Sequence, residues 1–176
     1  MYKNKLYSTL FVSLLVGSLI IVLFTKGCSQ NRMDFYENTF STDLSKENVG
    51  TISIGSNKSD IISKFGEPNS IKESQVPDTF YLRYGEDDNL TFKLVDGVVR
   101  EYFFSDKELK TEKNISIGST KEEVIKQYGE NYYLRTDTGE KNNVLGYFDK
   151  EKNIVLEFIF DKDVIVIFST YNSSVN

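Results

Sequence analysis

Histidine and tryptophan are missing from this 176-residue sequence, and cysteine occurs only once, at Cys28. Without histidine the chain can form no Ser-His or Cys-His catalytic pair and no histidine-ligated metal site. A single cysteine excludes an internal disulfide and a zinc site built from several cysteines. Aromatic residues are plentiful, with 13 Phe and 11 Tyr in a hydrophobic content of 39%, so the chain has enough apolar material for a packed core.

Charge is unevenly distributed along the chain. The formal net charge is −5, but Lys3, Lys5 and Lys26 all precede the first acidic residue, Asp34. The rest of the chain carries 18 basic and 26 acidic side chains, a net of −8. Because a body of this sign repels phosphate backbones, we expect no binding to nucleic acid.

Residues 6–25 form a run of twenty amino acids without a charged side chain. A helix of about 20 apolar residues crosses the hydrocarbon core of a bilayer, so the run predicts a membrane span. Lys3 and Lys5 precede it, and the positive-inside bias would keep them in the cytoplasm and send residues 27–176 outward.

The same leader is compatible with a second kind of anchor. Gly27-Cys28-Ser29 follows the run and resembles the end of a bacterial lipobox, in which a small residue precedes the cysteine that takes the lipid. The match is partial, because Thr25 and Lys26 stand where a lipobox has an aliphatic and a small uncharged residue. The sequence leaves two anchors open, a single span through residues 6–25 and lipid on Cys28, and each places the body on the extracytoplasmic side of the cell membrane.

The body contains an internal repeat with a spacing of 63 residues. Ile52-Ser53-Ile54-Gly55-Ser56 recurs as Ile115-Ser116-Ile117-Gly118-Ser119. The spacing holds for pairs farther along the chain: Lys58 and Lys121, Asp60 and Glu123, Gly66 and Gly129, Tyr84 and Tyr147. A register kept over this length predicts two copies of one module, at residues 49–106 and 113–170, after an anchor at 1–28 and a polar stalk at 29–48.

Each copy is predicted to fold as one short helix followed by a three-stranded antiparallel β-meander. Ser56 or Asn57 can cap the first helix and Ser119 or Thr120 the second, and a glycine ends each helix. Three apolar runs follow each helix, at about 80–84, 90–95 and 98–104 in the first copy and about 144–148, 154–160 and 164–169 in the second. The predicted fold class is therefore α+β, with an N-terminal membrane helix and then two tandem modules of helix plus three-stranded meander.

The helix starts and ends of the two copies carry a family resemblance. An Ile-x-Ile-Gly-Ser start, a Lys-x-Asp/Glu helix and an aromatic-Gly-Glu end, with Pro68 after the first copy, resemble the superfamily of small outer-membrane lipoprotein A and the β-lactamase inhibitor proteins. Uncharacterised envelope lipoproteins of Gram-positive bacteria carry similar modules. The resemblance covers residues 49–105 and 113–170, departs at Asn131 where proline is expected, and implies non-enzymatic envelope modules that bind proteins.

The second copy holds the sharpest candidate for a binding surface. Its last strand, residues 164–168, is apolar on both faces, although a sheet covered by a helix on one side needs only one apolar face. The extra face is predicted to contact a partner, with tyrosines at its rim. The candidate residues are Tyr132, Tyr133, Tyr147, Ile165 and Ile167. The competing interpretation is that this face packs on the other module or forms a continuous sheet with it.

Together these patterns predict a non-catalytic protein-binding role at the cell envelope, as an accessory, inhibitor or immunity-type protein tethered to the membrane. The expected partner is an envelope protein, and the sequence predicts no catalytic residue, metal or cofactor. The alternative is a sensor that binds a small ligand, a lipid or a cell-wall fragment in a cleft between the modules.

Overall fold

Two α-helices, one 3₁₀ helix and eight β-strands make up the part of the chain that the structure, a computed structural model, describes: residues 31–136, 143–161 and 163–170. From residue 161 onward the description covers the backbone. The 3₁₀ helix is Arg32–Phe35, and the first half continues with α1 (Lys58–Phe65), β1 (Ser70–Glu73), β2 (Thr79–Tyr84), β3 (Leu90–Val95) and β4 (Val98–Phe104). The second half contains α2 (Lys121–Tyr128), β5 (Tyr133–Arg135), β6 (Val144–Asp149), β7 (Ile154–Asp161) and β8 (Asp163–Thr170).

All eight strands form one antiparallel sheet with the order β1-β2-β3-β4-β8-β7-β6-β5. The two halves meet through their last strands, because β4 pairs with β8 and places Phe103 opposite Ile167. One row of directly paired residues crosses the whole sheet from edge to edge: Ser70, Arg83, Thr91, Phe103, Ile167, Glu157, Gly146 and Tyr133. The row relates a position in one half to its counterpart in the other, so that Arg83 corresponds to Gly146 and Thr91 to Glu157.

The predicted fold class is wrong in its strand count and in its division into two meanders. Each half has four strands, and all of them belong to one sheet. The missed strands are β1, which is exposed at all four positions and so lacks the alternation of a half-buried strand, and β5, which has three residues. The continuous sheet is the arrangement that the sequence left as the competing interpretation.

The predicted membrane helix, residues 6–25, and Cys28 lie outside the described residues. Within the ranges that are described, every helix falls short of the length and apolar character that a membrane crossing requires. The anchor therefore remains a prediction from sequence.

The two α-helices begin with the same hydrogen-bonding pattern. The Asn57 backbone N–H donates to the Asp60 carboxylate (2.8 Å) before α1, and the Thr120 N–H donates to the Glu123 carboxylate (2.8 Å) before α2. At α2 the Thr120 hydroxyl accepts the Glu123 N–H in return (3.2 Å), which completes a capping box. Both helices end at a glycine of positive φ, Gly66 and Gly129, as a left-handed helix end favours.

The main core lies between the helices and one face of the sheet, here called the helix face. Phe65 of α1 contacts the rings of Tyr84 and Phe92, and Tyr128 of α2 contacts those of Tyr147 and Phe158. Each half also ties its helix end to its second strand through a tyrosine hydroxyl: Tyr84 donates to the Gly66 carbonyl (3.1 Å), and Tyr147 donates to the Gly129 carbonyl (3.0 Å). The opposite face of the sheet is here called the outer face, and it carries two of the candidate sites.

Candidate binding surface

The outer face of the second half is covered by residues 31–44, here called the strap. Ser41 pairs with Phe148 as an isolated parallel bridge, and the Thr42 N–H donates to the Phe148 carbonyl (2.7 Å). Farther along, the Leu44 N–H donates to the Asp149 carboxylate (3.0 Å). The strap falls within residues 29–48, which the sequence suggested as a polar stalk, but these contacts make it part of the folded body.

Aromatic stacking fixes the first part of the strap on the sheet. The Phe35 ring stacks on Tyr133 with centroids 5.3 Å apart, and Tyr36 meets the edge of Phe148, also at 5.3 Å. Tyr133 and Phe148 in turn stack on each other at 4.7 Å. A side chain at Gly146 would collide with the Tyr133 ring, so glycine at this position lets the ring lie flat on the sheet.

A buried carboxylate, Glu157, lies at the centre of the covered face and is 0% exposed. Arg135 holds it with two parallel bonds, from Nε to Oε1 (2.7 Å) and from a terminal nitrogen to Oε2 (2.9 Å), and the Tyr133 hydroxyl donates to Oε1 (2.6 Å). Arg32 of the strap lies 3.3 Å from Oε2. A paired carboxylate of this kind is the condition under which a protein tolerates a fully buried charge.

The environment of Glu157 stabilises its charged form. Burial alone would raise the pKa of the carboxyl group, but the Arg135 hydrogen bonds, the Arg32 charge and the Tyr133 hydroxyl outweigh it and hold the pKa below its usual range. Burial and the adjacent Glu157 raise the pKa of Tyr133, so the phenol keeps its proton and remains a donor. Strand alternation could place Glu157 on this face, but no sequence signal pairs it with Arg135 on a strand two positions away in the sheet.

The three tyrosines predicted to rim a partner surface lie in different places. Tyr147 is 0% exposed in the core on the helix face, and Tyr133 is 4% exposed under the strap on the outer face. Tyr132 is half-buried against the main core, with its ring 6.4 Å from that of Tyr147. The structure therefore does not bring them together at one rim, and neither Tyr133 nor Tyr147 is presented to a partner in this arrangement.

Ile165 and Ile167 belong to β8, between β4 and β7 in the middle of the sheet. The backbone places Ile165 opposite Ile159, and Ile167 opposite both Phe103 and Glu157. Their side chains lie outside the description, so their contact with a partner stays a prediction.

The outer face of the first half carries a groove of about 260 Å³. Strands β2 and β3 supply four of its lining residues, Tyr81, Arg83, Thr91 and Lys93. The rest of the lining is Asp88, Glu101, Tyr102 and Phe103. All the strap contacts described above are with the second half. Sequence reasoning missed the groove, because its residues read as the solvated side of an ordinary half-buried sheet.

Each of the two cations in the groove is paired with an acid of the same lining. Arg83 contacts the Asp88 carboxylate through one terminal nitrogen at 2.6 Å. The Lys93 ammonium lies 3.9 Å from the Glu101 carboxylate, which is an ion pair but too long for a hydrogen bond. The Lys93 side chain is only 14% exposed, so most of its length is buried in the groove.

A second buried acid, Glu47, lies between the strap, the connection between the halves, and α2. The carboxylate is 3% exposed, accepts the Tyr128 hydroxyl at 2.7 Å and accepts the Glu112 N–H at 3.3 Å. Burial raises the pKa of Glu47 to about 7, and the two hydrogen bonds offset only part of that effect. A cavity of about 310 Å³ adjoins it, lined by Asp43, Lys46, Glu47, Glu112 and Lys113.

No group of three or more His, Cys, Asp or Glu side chains in the described ranges could hold a metal ion. What the described residues offer instead is a strap-covered acidic site on one half, an aromatic and charged groove on the other, and the cavity beside Glu47.

Comparison with known proteins adds little to this geometry. No family model matches the chain, and no curated protein matches it. A solved structure to which it is similar is the 1.5 Å crystal structure of an extracellular protein containing an SCP domain from Bacillus anthracis str. Ames, with 14% sequence identity and a TM-score of 0.48. The match covers 84% of this chain and 48% of that one, so the chain spans about half the length of that protein.

Proposed function

We propose that this protein is a non-catalytic, membrane-tethered module whose body lies on the extracytoplasmic side of the membrane and binds another envelope protein. The observation that carries the proposal is the difference between the two halves of the outer face. On the second half the chain's own strap covers the outer face around Glu157 and Tyr133. On the first half the same row of paired residues, at Arg83 and Thr91, lines a groove.

The strap supplies an example of how this kind of face holds an extended segment. Phe35 stacks on a sheet tyrosine, and Arg32 reaches a sheet carboxylate. The groove has the same kinds of groups, since Tyr81 and Phe103 provide aromatic surface and Arg83 provides charge. Tyrosine and arginine are enriched where protein partners contribute most to binding, which favours a protein segment as the occupant.

The membrane tether and the outward orientation are supported by the leader. Residues 6–25 are long and apolar enough for a single span, and Cys28 offers the alternative of lipid. The intact mass of the purified protein separates the two anchors. Lipidation at Cys28 requires the loss of residues 1–27 and an added acyl mass, whereas a retained N-terminus excludes it.

The test of partner binding is site-specific photo-crosslinking in living cells. A photoreactive amino acid replaces Tyr81 in the groove, and a matched variant carries it at Lys126, an exposed position on α2. We expect a discrete adduct with one envelope protein from the Tyr81 position, absent at Lys126 and lost when unlabelled wild-type protein is overexpressed. Equal adducts from both positions, or no adduct from either, would refute the groove as a partner site.

A small-ligand sensor is the second candidate, because the cavity beside Glu47 lies where the strap and the connection between the halves meet α2. Its lining of two lysines and three acids suits a small polar molecule. If the protein is such a sensor, we expect small envelope molecules to raise its thermal midpoint, and we expect Lys46→Gln to abolish this shift and Tyr81→Ala to leave it unchanged. If a partner binds in the groove, we expect Tyr81→Ala to weaken that binding and Lys46→Gln to leave it unchanged.

A further inference from the structure

The two edges of the sheet differ in their exposure to solvent. Strand β1 forms one edge, and all four of its residues, Ser70–Glu73, are exposed. Strand β5, its counterpart in the second half, forms the other edge, and its first and last residues, Tyr133 and Arg135, are buried. The exposed edge therefore belongs to the half that also carries the groove.

The backbone of β1 bonds to β2 at every second residue. The Ser74 N–H donates to the Thr79 carbonyl (2.9 Å) where the β1–β2 pair ends. Because hydrogen-bonded and non-bonded pairs alternate along an antiparallel ladder, Lys72 also bonds to β2. The N–H and C=O groups of Ile71 and Glu73 then point away from β2, and no other described strand pairs with them. A further strand could use these two donors and two acceptors.

Apolar side chains are exposed beside this edge. Of the five large hydrophobic side chains that are exposed in the described ranges, the β1–β2 hairpin carries three: Ile71 at 51%, Val76 at 39% and Phe80 at 38%. Ile71 lies opposite Leu82, and Phe80 is two residues from Leu82 in β2, so Ile71 and Phe80 share the helix face. Helix α1 packs at the other end of β2, against Tyr84, and leaves these side chains exposed.

We propose that β1 binds an extended segment of the partner protein, which adds to the sheet as a further antiparallel or parallel strand. The segment pairs its backbone with the outward groups of Ile71 and Glu73, and an apolar side chain opposite Ile71 covers that residue on the helix face. This inference rests on the proposed function and says how the partner is held. The added strand would continue the outer face from the groove, because Lys72 of β1 lies opposite Tyr81.

A second copy of this chain fits the edge poorly. Two copies of β1 related by a two-fold axis can pair over most of their length only with Ile71, Lys72 or Glu73 on the axis. Lys72 or Glu73 on the axis places like charges directly opposite each other, which is destabilising. With Ile71 on the axis, Glu73 faces Asn69, whose N–H already donates to the Arg83 carbonyl (2.8 Å). A segment of another protein does not meet these restrictions.

The test compares proline with alanine at Glu73, by photo-crosslinking of the full-length protein in living cells. The photoreactive amino acid replaces Ser70 on the edge strand. Glu73→Pro removes an N–H that points away from β2, so the β1–β2 pairing is retained, and the proline ring obstructs an added strand. Glu73→Ala loses the same side chain and keeps the N–H. We expect Glu73→Pro to lower the yield of the Ser70 adduct about tenfold or more, and Glu73→Ala to leave it unchanged.

Two further measurements keep the test independent of the folding of one variant. Thermal midpoints show whether Glu73→Pro is folded, and Ile71→Pro, which also removes an outward N–H, should give the same loss of adduct. Hydrogen exchange in the free wild-type protein examines the edge itself, and the Ile71 and Glu73 amides should exchange much faster than that of Lys72. Slow exchange at Ile71 and Glu73 would show that the edge is already paired and would overturn the inference.

The remaining outcomes separate this inference from the proposed function. If Tyr81 gives an adduct with an envelope protein and folded Glu73→Pro leaves the adducts of both positions unchanged, strand addition is refuted and the groove stands. Equal losses in Glu73→Pro and Glu73→Ala would assign the effect to the side chain and also refute it. A proline-sensitive adduct from Ser70 with none from Tyr81 supports strand addition and refutes the groove. No adduct from either position refutes both, and a concentration-dependent adduct of Ser70 with a second copy of this chain overturns the inference.

Discussion

Replacing Glu47 by glutamine tests the electrostatics of the junction between the strap, the connection between the halves, and α2. Glutamate ordinarily titrates near 4.5, and burial raises the pKa of Glu47 to about 7 in the folded protein. Between these values the folded state binds a proton that the unfolded state has released, so the free energy of unfolding falls as the pH rises. The slope is about 1.4 kcal/mol per pH unit, and the full loss from pH 4.5 to pH 7 and above is about 3 kcal/mol.

The glutamine variant removes the titration and keeps an acceptor for the Tyr128 hydroxyl. The amide nitrogen would face the Glu112 N–H, and losing that bond costs about 1 kcal/mol. We therefore expect Glu47→Gln to be more stable than the wild type by about 2 kcal/mol at pH 8, and equal to it or slightly less stable at pH 5. The chain has no histidine, so few other side chains titrate in this window and the effect should be easy to isolate.

The assay is urea unfolding of the full-length protein in detergent at pH 5, 6, 7 and 8, followed by circular dichroism. Glu151→Gln removes an exposed acid and is the matched control, which should keep the wild-type slope. A wild-type stability that stays flat or rises between pH 5 and pH 8 would refute the reasoning. So would a Glu47→Gln variant that retains the slope.

Three further predictions concern the remaining hydrogen-bonded contacts. Because the pKa of Glu157 is lowered in the folded state, the ionised carboxylate stabilises the fold above about pH 4.5, and this stabilisation is lost as the pH falls through the pKa of the folded state. In acid unfolding, the free energy of unfolding of Glu157→Gln should therefore fall less steeply than that of the wild type over this range. Arg135→Met leaves Glu157 buried with its main partner gone and should cost about 3–5 kcal/mol in urea unfolding, most of which the additional change Glu157→Met recovers; simple additivity of the two changes would contradict this. Tyr84→Phe and Tyr147→Phe each delete one hydrogen bond from a helix end and should each cost about 1 kcal/mol in thermal unfolding, whereas a loss in only one half would show that the two contacts are not equivalent.

Local signals in the sequence identified the helices but not the complete sheet. Asn57 and Thr120, two of the residues proposed as caps, precede the helices in the structure, and both helices end at the glycines that were chosen for that role. These features depend on neighbours within four residues, which a sequence displays directly. Strand β1 is short, exposed and polar, so its pairing with β2 left no apolar pattern to detect.

The candidate sites depend on contacts between distant residues, and the sequence could not supply them. Arg135 and Glu157 are brought together by the pairing of β5, β6 and β7, and Glu47 meets Tyr128 across 81 residues. Phe35 and Tyr36 gave the only hint of the strap, as aromatic residues in an otherwise polar stretch. The apolar run of β8 drew attention to the second half, and the structure places this strand between β4 and β7 in the middle of the sheet.

An ion pair and aromatic contacts join the strap to the second half. Arg32 of the strap lies 3.3 Å from the Glu157 carboxylate, which Arg135 of the sheet also holds. Phe35 and Tyr36 pack on Tyr133 and Phe148 beside it. We expect the ion pair to contribute to holding the strap on the sheet.

Reversing the charge of Arg32 tests this account of the strap directly. Arg32→Glu would place a second carboxylate near Glu157 and weaken the strap, and the Thr42 N–H, which donates to the Phe148 carbonyl, reports its opening by hydrogen exchange. We expect hydrogen exchange at Thr42 to accelerate about tenfold for each 1.4 kcal/mol by which the substitution lowers the free energy of strap opening. The control is Lys46→Glu, a charge reversal at an exposed position outside the strap. Unchanged exchange at Thr42 would mean that Phe35 and the other aromatic contacts hold the strap without help from the ion pair.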